Sequence, residues 1–142
     1  MAMLDGCAPV RCGTHSKFVS SENGCSHIGN NKDNNYVRQY QVDGQVVPST
    51  SAVERCDYLL LNDTKQNAYY IELKGSDIHK AMRQIDNSVC MIQSSHPGYT
   101  IYRRIVYRSG SHDVNSSAVT RWKRTHGVNY VIIKSIKIEE NI

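Results

Sequence analysis

At 142 residues the chain is long enough to form one domain with a core of its own. Hydrophobic residues make up 39% of it and charged residues 21%, which excludes a disordered polymer, while a net charge of +4 leans mildly towards polyanions without a histone-like excess. No apolar stretch approaches a membrane span, and five irregularly spaced cysteines fit reduced thiols better than a disulfide framework, so a cytoplasmic protein is expected.

Residues 1–35 are rich in Gly, Ser, Asn and Cys and show no sustained period. They are expected as an irregular segment packed on a single domain spanning residues 1–142. Cys7, Cys12, Cys25 and His27 offer four soft ligands for zinc, but their spacing matches no common finger or knuckle. A coil over the sheet with buried free thiols is preferred to a zinc site. A short helix over Lys17 to Glu22 is the one regular element considered there.

Tyr36 to Val42 alternates towards a strand that ends at the turn signal Asp43-Gly44, resumes over Gln45 to Val47, and stops at Pro48. The next stretch, Cys56 to Gly75, is the centre of the chain. Tyr58 to Leu61 is an apolar run of the kind buried on both faces, and Tyr69, Tyr70, Ile71 and Leu73 are strand formers again. Asn62 to Asn67 between them reads as a hairpin loop. With Asn62 opposite Asn67, Leu61 faces Ala68, Leu59 faces Tyr70, and Asp57 faces Glu72. Alternation then brings Asp57, Glu72 and Lys74 out on one side of the sheet. Opposed residues have Cβ atoms about 5 Å apart, so two carboxylates there repel unless a proton or a cation neutralises them.

A helix follows, capped by Ser76 or Asp77, with Ile78, Met82, Ile85, Val89 and Ile92 as its apolar stripe and Lys80, Arg83, Gln84 and Asn87 off it. It ends before His96-Pro97-Gly98. Tyr99 to Arg108 predicts a strand parallel to the one bearing Glu72, with Arg103 on one face and Arg104 on the other. Arginines interleaved with tyrosines suit phosphate contacts and base stacking, and equally suit an edge strand guarded by charge. Asn115 to His126 predicts a second helix with Ala118, Val119 and Trp122 inward and Arg121, Lys123 and Arg124 outward, stopped by Gly127. Val128 to Ile138 predicts a final strand. The order is β-β-β-α-β-α-β, an α/β chain with a mixed sheet flanked by helices.

An Asp opening one strand, Glu72-Leu73-Lys74 ending the next, and a helix after Gly75 resemble the PD-(D/E)XK nuclease superfamily, which includes restriction endonucleases and Holliday-junction resolvases. The resemblance covers the middle and later two-thirds of the chain. It implies a restriction endonuclease-like fold in which Asp57, Glu72 and the Leu73 carbonyl hold Mg²⁺ or Mn²⁺ and Lys74 positions the attacking water. It further implies a nucleic-acid substrate, DNA before RNA. Lys80 and Gln84 would stand beside the site, Arg103, Arg104, Arg121 and Lys123 would hold the backbone, and two copies would pair to address two strands. Cys56 stands where the family often has Pro. Many members carry a further Glu on a helix before the sheet, and Glu22 and Glu54 are the early candidates for it. Two other classes stay open on the residues alone: a nuclease-like fold that binds without cutting, and a small interaction protein whose Glu72 and Lys74 are surface charges.

Overall fold

The computed structural model describes residues 2–75, 77–108 and 113–142, with Lys74 and Gly75 described in their backbone alone. In chain order its elements are β1 (Arg11–Gly13), β2 (Lys17–Glu22), β3 (Cys25–Asn30), β4 (Val37–Gln41), β5 (Asp43–Gly44), β6 (Val47–Pro48), β7 (Tyr58–Asn62), β8 (Asn67–Gly75), α1 (Ile78–Ile92), β9 (Thr100–Tyr107), α2 (Ser117–His126), β10 (Val131–Ser135) and β11 (Lys137–Asn141). Among the described residues, a six-stranded mixed sheet runs in the order β1-β4-β7-β8-β9-β10. A second sheet runs β11-β3-β2, and β5 pairs with β6.

The central hairpin has the predicted register: Asn62 opposite Asn67, Leu61 opposite Ala68, Leu59 opposite Tyr70. β4 joins β7 antiparallel. Crossovers through α1 and then α2 lay β9 parallel to β8 and β10 parallel to β9. Asp77 caps α1 by accepting from the Lys80 N–H at 3.0 Å, and Ile78, Met82, Ile85, Val89 and Ile92 are all buried. Ser76, the other predicted cap, lies outside the described residues. Ser116 caps α2 through the Val119 N–H, and Val119 and Trp122 face inward as expected. No helix among the described residues is long and apolar enough to cross a membrane.

Two expectations give way. Residues 1–35 carry three strands, and in two of them Phe18 and Ser20 on β2, and Cys25, His27 and Gly29 on β3, alternate inward with period two. Lys17 to Glu22 is therefore a strand and not a helix. Asn23 (φ +51°) and Gly24 (φ +80°) make the tight turn between β2 and β3, both in the left-handed region that a two-residue hairpin demands. The predicted final strand is likewise two. It breaks at Ile136, and β11 leaves the large sheet to run parallel to β3 in the small one.

The six-stranded sheet is thus covered on both faces. Helices α1 and α2 bury Leu59, Leu61, Tyr70 and Ile105 on one side, and the small sheet buries Leu60, Ile71, Leu73 and Val106 on the other. Two-sided burial is why Leu59-Leu60-Leu61 has no polar member. Each such side chain contributes about 1.5–3 kcal/mol when fully removed from water. Gly29 makes room for this stacking, since a Cβ there would lie 2.9 Å from Ile142 Cδ1 and 3.3 Å from Leu60 Cδ1.

Candidate functional site

Asp57 sits just before β7, and its backbone is held on every side. Its N–H donates to the Ile71 carbonyl at 3.1 Å, and its own carbonyl accepts from the Val42 N–H at 2.8 Å. Tyr58 also pairs with Ile71. Two residues of one strand therefore address one residue of the other, and the ladder bulges where the sequence register would have set Asp57 squarely opposite Glu72. The Asp57 carboxylate instead reaches along β8, and its Oδ2 accepts from the Leu73 N–H at 2.8 Å.

β8 is irregular at the same level. Its pairing with β9 runs to Glu72 opposite Ile105 and resumes with Gly75 opposite Tyr107, so three steps on β8 match two on β9. Bulges commonly re-aim side chains next to active sites. The Lys74 side chain falls outside the described residues.

Both carboxylates are almost wholly buried, Asp57 at 3% and Glu72 at 2% exposure. They share a neighbour in the Cys56 thiol. Burial pushes that thiol well up, a Ser88 hydrogen bond opposes the shift, and the charges of Glu72 and then Asp57 reinforce it. On the other flank, Tyr58 is raised by burial, then by Glu22 and then by Asp57. Glu22, at the end of β2 beside the Asn23-Gly24 turn, therefore lies near Tyr58. Arg108 pins that turn by donating to the Asn23 carbonyl at 2.9 Å.

Glu54 lies elsewhere, on the outer side of α1, where it accepts from Arg83 at 3.1 Å. Among the described residues, no three His, Cys, Asp or Glu side chains converge tightly enough to hold a metal between them. That applies to Cys7, Cys12, Cys25 and His27 as well as to the acids. Cys25 and His27 are buried on β3, and His27 Nε2 is committed to Glu140 at 2.8 Å.

No protein-family model, curated protein or solved structure matches this chain. The site therefore rests on its own geometry.

The expected basic contacts divide. Arg103 and Arg104 are not at a surface. Arg103 Nε donates to Asp86 on α1 at 3.3 Å, and Asp86 also accepts from Trp122 Nε1 at 2.9 Å. Arg104 grips Glu140 with two hydrogen bonds of 2.7 and 2.8 Å, its guanidinium lying 5.6 Å from the Tyr69 ring centre and 5.2 Å from that of Tyr102. Tyr102 of β9 and Tyr69 of β8 thus flank an internal arginine. Lys80 on α1 and Arg121 on α2 are exposed, Lys123 is half-buried, and Gln84 donates to the Arg55 carbonyl at 3.2 Å. Glu22 is the residue the sequence located least well, although Asn23-Gly24 is the strongest short-range hairpin signal and would have assigned it to a strand end.

Proposed function

We propose that the chain is a metal-dependent phosphodiesterase of restriction endonuclease-like architecture, acting on DNA and less favourably on RNA. The observation that supports this most is the pair of buried carboxylates, Asp57 just before β7 and Glu72 on β8, at a double break in the ladder and both acting on Cys56. The donor chemistry fits Mg²⁺ or Mn²⁺: two hard carboxylates and the Leu73 carbonyl, with the remaining positions left to water and substrate phosphate. A site built on one or two carboxylates is ordinary for Mg²⁺, so it does not require a third converging acid.

When bound, the cation would lower the pKa of a water and offset charge on the phosphoryl oxygens. The protein residues supply the positions. Asp57 is locked by its backbone and by the Leu73 N–H, so its carboxylate cannot swing away as a phosphate approaches. Lys74 follows Leu73 on the bulged end of β8 and takes the role of orienting the water. Arg121 and Lys123 supply charge for the backbone phosphates, and Lys80 a separate donor to the nucleic acid. Arg103 and Arg104 hold the fold instead.

The second reading is a nuclease-like fold that holds nucleic acid without cutting it, favoured by the absence of three converging metal-binding side chains among the described residues. Incubation of plasmid, single-stranded DNA and RNA with and without Mn²⁺ separates the two. Cleavage should require the metal and should fall about 100-fold or more in Glu72→Gln and in Lys74→Ala, while the melting temperature of each variant holds. Full activity in both variants ends the proposal. An inactive wild-type chain that Mn²⁺ does not stabilise against heat supports the binder.

A further inference from the structure

A surface cavity of about 340 Å³ opens between the segment leading into Asp57 and the first half of α1. One wall is apolar, made by Ala52 and by Val53, whose side chain is 44% exposed. The rest is polar: Lys80 and Gln84 from α1, and Asp43, Glu54 and Arg55 opposite them.

The arginine is a brace and not a ligand-binding group. Its Nε donates to Asp43 Oδ1 at 2.9 Å, and its Nη1 donates to the Ser51 and Val53 carbonyls at 2.6 and 2.9 Å, which holds the wall in shape. Gln84 donates to the Arg55 carbonyl and fixes the same wall to α1. Other groups are still available. Lys80 makes no ion pair among the described residues. Asp43 spends Oδ1 on Arg55 and Glu54 spends Oε2 on Arg83, so each carboxylate keeps its second oxygen as an acceptor.

We infer that this cavity is a base pocket for guanine, resting on the reading of the chain as a nucleic-acid enzyme. A flat ring would lie on Val53 and Ala52, while its edge would meet an ammonium donor and carboxylate acceptors together. Guanine matches that pattern: O6 and N7 accept, as from Lys80, and the N1 and N2 protons donate, as to Glu54 and Asp43. Adenine presents an amino group where guanine has O6 and places it against the ammonium. Cytosine and uracil are smaller and offer fewer of these contacts. Enzymes that work on single-stranded or unstacked nucleic acid read such edges in this way.

The test is a calorimetric titration of the full chain with GMP, AMP, CMP and UMP in the absence of divalent metal, repeated on Lys80→Met, Glu54→Gln and Glu72→Gln. GMP should bind at least about tenfold more tightly than the others, and Lys80→Met and Glu54→Gln should each weaken it by about tenfold at unchanged melting temperature. Glu72→Gln should bind GMP as the wild type does. Equal affinity for all four nucleotides, no binding of any, or GMP affinity indifferent to both pocket variants overturns the assignment. Because no metal and no cleavage enter this measurement, a chain that binds GMP but never cuts refutes the nuclease reading alone, and one that cuts without preferring GMP refutes the pocket alone.

Discussion

Glu140 shows how one side chain redirects several others. It lies on β11 in the small sheet and accepts from Arg104 of the large sheet and from His27 of β3, so it ties three strands of two layers together. Burial alone would raise its carboxyl, but the His27 and Arg104 hydrogen bonds and charges outweigh that and bring it down to about 2. A depressed carboxylate stabilises the folded state above its unfolded pKa and loses that contribution as pH falls through the folded value. The Glu140 contribution is therefore complete above about pH 4.5 and is lost towards about pH 2, on the order of 3 kcal/mol. His96 works in the same direction at higher pH. Burial beside the Tyr70 hydroxyl lowers it, so the unfolded chain takes up the proton first and stability declines as pH falls below about 6.5. Thermal melts from pH 8 to 2 should show a continuous loss towards acid. Glu140→Gln should flatten the limb below about pH 4.5 and destabilise the protein at pH 7 by about 3 kcal/mol, since it strands a buried arginine. An unchanged acid limb in that variant would refute the assignment.

Among the elements, the junction between β10 and β11 carries the clearest strain. Ile136 adopts φ +68°, a conformation that costs an L-residue roughly 1–2 kcal/mol and a β-branched one more. Its backbone explains why it is held there: its N–H donates to the Tyr107 carbonyl at 2.8 Å, and its carbonyl accepts from the Ser26 N–H at 3.0 Å, linking the two sheets. The side chain is 48% exposed and contributes little to packing. Ile136→Gly should therefore raise stability by about 0.5–1 kcal/mol in urea denaturation, the relief of strain exceeding the entropy of the added glycine. A loss of stability would mean that the apolar contacts of Ile136 outweigh its backbone. The same reasoning accounts for the missed break, because Val128 to Ile138 is apolar enough to read as one strand and nothing local announces a left-handed isoleucine.

For the molecule as a whole, the second sheet is a structural layer as much as a decoration. It covers Leu60, Ile71, Leu73 and Val106, and it brings Glu22 towards Tyr58. Removing residues 2–30 should expose an apolar face of the large sheet and leave β11 without its neighbour. Such a chain should bind a hydrophobic dye and lose its near-ultraviolet dichroism. A cooperative melt in the truncated chain would instead show that the large sheet and its helices stand alone.

Local chemistry determined the hairpin register at Asn62 and Asn67, both helix caps and stripes, and the parallel crossovers, because each depends on neighbours in sequence: polar loop length, spacing of apolar residues, capping side chains. The meeting of two acids near one thiol followed from that register, although a bulge set how Asp57 approaches. Tertiary structure alone decided which residues of the 17–30 hairpin turn inward, serine and histidine among them. It alone decided that Arg103 and Arg104 are internal. The burial of such groups becomes affordable only when a partner distant in sequence, Glu140 or Asp86, satisfies the charge, and no window around either arginine contains that partner.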